Sequence, residues 1–123
     1  PNNASIVFIL SYHGHTVLMT ADTEKELEEY LLKVYSDQLD VDVLKVGHHG
    51  SPGSSIQEFV DAVTPRHAII SSGVDNSYGH PSQRVIKRLE RASSTIWRTD
   101  QKGDILVSIT PDALYVGTDT FLD

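Results

Sequence analysis

The sequence predicts an α/β domain: a mixed, mostly parallel β-sheet covered by three helices. Two patterns carry that reading. Short runs of β-branched and large apolar residues alternate with stretches of helical periodicity, and alternation of this kind requires crossovers that return over a sheet face. At 123 residues and 13.6 kDa there is also room for only one core.

Residues 5–11 and 16–20 are strand-like, and the polar stretch Tyr12-His13-Gly14-His15 between them suits a hairpin turn. Residues 23–35 place Leu27, Tyr30, Leu31 and Val34 at helical spacing, and Thr23 to Glu26 reads as a capping box at the start. Residues 41–46 form a short strand. After a glycine-bounded loop over 47–53, a second helix runs from Ser55 with Ile56, Phe59, Val60 and Val63 on one face, and Pro65 ends it. Residues 67–72 are a strand, residues 73–79 a loop, and Pro81 suits the first turn of a third helix that turns Val85, Ile86 and Leu89 inward. Residues 95–98, 104–110 and 113–117 read as short strands separated by turn residues. The order is ββαβαβαβββ, without internal repeat, linker or low-complexity segment, so residues 1–123 are read as one unit.

Composition narrows the function. Ten Lys and Arg against 17 Asp and Glu leave a formal charge of −7, which argues against a general electrostatic grip on nucleic acid or an anionic membrane. Phosphate binding, if any, is then local or metal-assisted. Cysteine is absent, which removes disulfides, thiolate zinc sites, iron–sulfur clusters and a cysteine nucleophile. The longest apolar run, Ile6 to Leu10, is far below the roughly 20 residues needed to span a bilayer. Six histidines remain as ligands or proton carriers.

Three polar clusters follow three successive strands: Thr20-Ala21-Asp22, Gly47-His48-His49-Gly50-Ser51 and Tyr78-Gly79-His80-Pro81. If those strands are neighbours, all three lie along one sheet edge, where open α/β sheets bind ligands. Imidazole and carboxylate together suit zinc, manganese or iron, and a carboxylate such as Asp22 can bridge two ions. His80, before Pro81, is placed at a helix N-cap, where the dipole favours the neutral imidazole. Each residue has a plain reading too. Asp22 alone is an N-cap, HHGS alone is a loop, and His80 alone is a cap. His13 and His15 read as exposed turn residues and His67 as structural. Ser51, Ser54 and Ser55 are phosphate contacts or helix caps. Asn76 and Tyr78 orient ligands, contact substrate, or simply form a turn with an exposed ring. The acidic run from Glu24 to Glu29 reads as a solvated helix face.

Taken in order, Asn2-Asn3-Ala4-Ser5, LMTADTEKELE (18–28), LKVGHHGSPGSS (44–55), PRHAIISSGVDNSYGHP (65–81) and WRTDQKG (97–103) resemble the metallo-β-lactamase-like domain of the ComEC/Rec2 competence proteins. The most specific part is HHGS followed by N-x-Y-G-H-P, and the match spans nearly the whole chain. The resemblance implies half of an αββα sandwich and metal-dependent hydrolysis of a phosphodiester, with DNA as the substrate during uptake. By position, Asp22 matches a bridging carboxylate and catalytic residue. One of His48 and His49 matches a late histidine ligand, with His48 the favoured one. His80 matches the G-H-P site histidine, as ligand, transition-state contact or proton donor. Ser51, Asn76 and Tyr78 are the candidate substrate contacts.

One or two divalent ions, zinc or manganese, are the implied cofactor of the complete domain. Ala21 departs from the glycine usual at its place. The H-x-H-x-D-H segment of the family is not in these residues either, because His13-Gly14-His15 lacks the Asp-His that follows. The expectation is therefore a C-terminal half-domain, inactive and holding metal weakly or not at all when alone. In the full-length protein its partners would be single-stranded DNA, the N-terminal half and the membrane channel, with the cell membrane as location. The uncovered sheet face predicts self-association. Two alternatives stand beside this reading: a non-catalytic module of the DNA channel, and a phosphoester hydrolase acting on a substrate other than DNA.

Overall fold

A computed structural model of the chain describes residues 4–118. The stretch Pro1 to Asn3, including the first two residues of the Asn2-Asn3-Ala4-Ser5 match, lies outside them. In chain order the elements are β1 (Phe8–Tyr12), β2 (His15–Met19), α1 (Lys25–Tyr35), β3 (Val43–Lys45), α2 (Gln57–Val63), β4 (His67–Ile70), α3 (Gln83–Arg91), β5 (Thr95–Arg98), α4 (Thr99–Lys102), β6 (Leu106–Ile109) and β7 (Leu114–Gly117). Short 3-10 turns occupy Ser36–Gln38 and Gly47–Gly50.

The first five strands form one sheet in the order β1-β2-β3-β4-β5. β1 is antiparallel to β2, and every later pairing is parallel. Strands that follow one another through right-handed crossovers put α1, α2 and α3 on the same face. The register fixes which side chains meet them. Leu18, Leu44, Ala68 and Ile96 stand in one row across the sheet. The first three join Val46, Ile70, Leu31, Phe59, Val60, Val63, Val85 and Leu89 in a single core. Phe59 alone, fully buried, contributes roughly 1.5–3 kcal/mol of transfer free energy. The mixed sheet with helices on one face is the predicted architecture, and β6 and β7 form a separate two-stranded antiparallel hairpin.

Several local readings are corrected. In α1 the inward side is Leu27, Glu28 and Leu31, whereas Tyr30 and Val34 are exposed. Periodicity alone had placed all four apolar residues inside. Glu28 is not part of a solvated face. It is 1% exposed, and its carboxylate accepts the backbone amides of Ser55 at 2.6 Å and Ile56 at 2.9 Å. Those amides belong to the two residues that lead into α2, so a carboxylate from α1 anchors the entry to that helix, and neither Ser54 nor Ser55 caps it. The capping box over 23–26 does not form either. Glu24 is the N-cap of α1 and its side chain makes no capping hydrogen bond, and Thr23 is buried beneath Gly47. Helix α3 starts after Ser82, whose hydroxyl accepts the amide of Val85 at 3.2 Å, so neither His80 nor Pro81 belongs to its first turn. His67 is structural as expected, its Nδ1 accepting the indole N–H of Trp97 at 3.1 Å.

Candidate metal centre

Because β2, β3 and β4 are parallel, the segments leaving them emerge at the same, carboxyl-terminal edge. These are the segments that hold Asp22, His48 with His49, and His80. Backbone bonds fasten them to one another. The amide of His48 donates to the carbonyl of Ala21 at 2.9 Å, and the amide of Ser82 donates to the carbonyl of Gly50 at 2.9 Å. The loop Gly47–Gly50 makes its turn with His48 (φ 48°) and His49 (φ 56°) both left-handed. Ala21 is left-handed as well, at φ 51°. Non-glycine residues enter that region only where the surroundings hold them there, and such strain concentrates at functional sites. It also explains why a glycine suits the position of Ala21.

Asp22 and His49 face each other: His49 Nε2 lies 3.7 Å from Asp22 Oδ1, and both side chains are about half exposed. His49 Nδ1 is 2.7 Å from the carbonyl of Ser71. A carbonyl only accepts, so Nδ1 carries the proton, and in the neutral ring Nε2 presents its lone pair toward Asp22. This is the ligand tautomer, set by a backbone carbonyl on the ring's other nitrogen. Two donors at roughly 2.0–2.2 Å from one ion stand a little over 3 Å apart at the tetrahedral angle, so the observed spacing suits a shared cation. His48 is placed differently. Its Nδ1 is buried without a hydrogen-bond partner and stands 3.4 Å from Glu24 Oε1, inside ion-pair range but without hydrogen-bond geometry. The geometry thus favours His49 as the ligand beside Asp22, where the sequence favoured His48.

His80 is third in the group. Its ring meets His48 edge-on with centroids 5.8 Å apart, and Tyr78 stacks against it at 5.7 Å and 26°. Burial, together with His48 and then His49, holds its pKa below the ordinary histidine value, so the ring is neutral near pH 7. The cause differs from the helix dipole expected at sequence level. Asn76 is committed to its own loop. Its Nδ2 donates to the carbonyls of Gly73 (2.9 Å) and His80 (2.6 Å), while its Oδ1 accepts the amides of Tyr78 (3.1 Å) and His80 (3.0 Å). Those bonds use the amide on the loop that carries His80 and leave Tyr78 free to contact a ligand. The hydroxyl of Ser51 accepts the amide of Gly53 at 3.3 Å, a local turn bond.

Sequence reasoning missed Lys45. It ends β3, and burial lowers its pKa against the opposing pull of the Asp22 carboxylate. A lysine inside the apolar run Val43 to Val46 was the available signal. Among the described residues, no group of three or more His, Cys, Asp or Glu side chains is disposed to hold a metal ion. Asp22 and His49 therefore supply two donors of a site, and the residues present fit a divalent ion to that extent. A cavity of about 180 Å³ opens beside them, lined by His49, Ser72, Gly73, Asn76, Tyr78 and His80. A larger cavity of about 940 Å³ lies on the helix side, against Glu24, Lys33, Gln57 and Arg88, and includes none of the histidines.

The metallo-beta-lactamase superfamily profile matches residues 1–74, which include Asp22, His48 and His49. The chain is 45% identical over 104 residues to ComE operon protein 3 of Bacillus subtilis, covering 85% of this chain and 13% of that protein. It is 38% identical over 102 residues to competence protein ComA of Neisseria gonorrhoeae, covering 83% of this chain and 15% of that protein. With recombination protein 2 of Haemophilus influenzae it shares 34% over 115 residues, or 94% of this chain and 14% of that protein. The chain thus spans 13–15% of the length of these relatives.

Proposed function

The chain belongs to the metallo-β-lactamase superfamily, in its ComEC/Rec2 form, and from that membership we propose that it is the metal-dependent phosphodiesterase domain of a membrane-anchored DNA-uptake protein. The observation that carries the reading is the Asp22–His49 pair, with the His49 proton placed by Ser71 at an edge where three loops meet. A zinc or manganese ion, when bound, polarises the phosphoryl group and lowers the pKa of water. The Asp22 carboxylate and His49 Nε2 would hold it. His80, neutral and packed between His48 and Tyr78, would accept at a ring nitrogen the proton released by the attacking water and deliver it to the leaving oxygen. Lys45 adds positive charge beside Asp22. Single-stranded DNA is the proposed substrate, and the remainder of the protein, including its channel, the proposed partner. No helix among the described residues is long and apolar enough to cross a membrane; a membrane location is proposed for the full-length protein alone.

One observation favours a second reading, a non-catalytic module: fewer than three ligand side chains come together among the described residues. A nuclease assay on the full-length protein with manganese or zinc separates the two. The enzyme reading expects cleavage that falls at least a hundredfold in Asp22→Asn and His49→Ala. Unchanged DNA processing in both variants, with folding intact, leaves the module.

A further inference from the structure

The site holds a column of three rings, of which the proposed hydrolytic chemistry uses His80 alone and leaves Tyr78 without a role. His48, His80 and Tyr78 follow one another at 5.8 Å and 5.7 Å, and Tyr78, the outermost, is 80% exposed. An exposed tyrosine in a loop is ordinarily loose, yet the Asn76 side chain donates two hydrogen bonds and accepts two that hold the loop around this one. The ring is held ready before any ligand arrives, which lowers the ordering cost of binding to it. Beside it lies the cavity of about 180 Å³, walled by Tyr78, His80 and His49. That volume is below the roughly 300–1,000 Å³ of sites for drug-sized molecules, and it suits one flat ring. Ser72, also in the lining, has a buried hydroxyl without a hydrogen-bond partner among the described residues.

We propose that the cavity beside Tyr78 receives one unpaired nucleobase, stacked on the Tyr78 ring, so that the phosphate attached to its sugar is directed toward Asp22 and His49. The proposal rests on the phosphodiesterase reading and adds the selection of single-stranded nucleic acid by an unstacked base. A net charge of −7 makes backbone electrostatics a weak source of affinity here, and stacking is the contribution that does not need it. One base fills the space, so a paired base must leave its duplex first and binds less well.

The test is fluorescence anisotropy on the full-length protein in EDTA, so that no turnover is involved, with short labelled oligothymidylate, the same backbone with abasic sites, and a duplex. The expected order is single strand above duplex and abasic strand. Tyr78→Ala should weaken the single strand about tenfold or more and leave the abasic strand unaffected, and Tyr78→Phe should restore binding. Equal binding of intact and abasic strands, or no loss in Tyr78→Ala, overturns the proposal. If the wild-type protein hydrolyses bis-p-nitrophenyl phosphate with manganese yet binds no oligonucleotide, the base site fails while the hydrolase reading survives. Absence of that hydrolysis together with base-dependent oligonucleotide binding supports the base site and removes the enzyme.

Discussion

Gly50 packs its backbone against Pro81 so closely that a Cβ on Gly50 would stand 2.6 Å from the Pro81 Cβ and 2.9 Å from its Cα. The contact joins the His48–His49 turn to the segment carrying His80, and the Ser82 amide donating to the Gly50 carbonyl seals it. Gly50 is also at φ +82°, which other residues adopt only under strain. Gly50→Ala combines overpacking against a rigid ring with a left-handed backbone, and a loss of about 2–4 kcal/mol is expected. Urea unfolding measures it, and a loss below about 1 kcal/mol would mean that the two segments are not held together here.

Ala21 is the opposite case, a left-handed position with a Cβ. Its carbonyl must stay in place to receive the His48 amide. Ala21→Gly removes the left-handed penalty and is expected to stabilise the domain by up to about 1 kcal/mol after the added flexibility of the unfolded chain is subtracted. A lower urea midpoint in the variant would contradict that.

These two positions show what the sequence could reveal. Apart from the short α4, which the predicted order lacks, strand and helix order was legible because apolar periodicity reflects burial on one side of a sheet, as with Phe59, Val60 and Val63 in α2. The edge location of Asp22, His48, His49 and His80 followed from parallel strand order alone. The roles within the edge did not follow. Which of two adjacent histidines turns toward Asp22 depends on two consecutive left-handed residues and on a carbonyl at Ser71, and neither leaves a mark in local composition. Glu28 was misread for a similar reason: its partners, the amides of Ser55 and Ile56, lie 27 and 28 residues away.

Glu28 has a pH signature. Burial raises its pKa above the ordinary 4.5, against the hydrogen bonds from Ile56 and Ser55 and the charge of Arg88, which lower it. A carboxyl whose folded pKa is raised holds its proton more firmly in the folded state, so its contribution is complete below the unfolded pKa. That contribution declines as pH climbs from about 4.5 through the raised value. Glu28→Gln should flatten this part of the stability profile. Glu28→Ala should cost about 2–4 kcal/mol, because the amides of Ser55 and Ile56 lose their acceptor and the Arg88 charge loses a nearby carboxylate. Denaturation curves from pH 4 upward on both variants check the slope and the loss.

Metal affinity separates the two histidines. His49→Ala and Asp22→Ala each remove one of two facing donors, and zinc or manganese affinity should fall tenfold or more in each. His48→Ala should change it severalfold at most, since its buried Nδ1 faces Glu24. Calorimetric titration of the full-length protein reads all three. A larger loss in His48→Ala than in His49→Ala would reverse the assignment.

Strand β1 sets the last expectation. It is an edge strand with all five residues exposed, and Phe8 (49%), Leu10 (48%) and Tyr12 (54%) alternate along it. The register pairs them with Met19, Val17 and His15, so they stand on the face that α1, α2 and α3 do not cover. Edge strands of globular domains are ordinarily blunted by charge, proline or a covering element, and β1 contains neither a charged residue nor a proline. Residues 1–123 produced alone should therefore associate as concentration rises. Leu10→Lys, a substitution at an exposed site, should shift the population toward monomer without lowering the unfolding midpoint. Sedimentation velocity over a range of concentrations decides the matter. A monomer at every concentration in the unsubstituted chain would show that strand pairing along β1 is not favourable, and that the exposed apolar row is too short to hold two copies together.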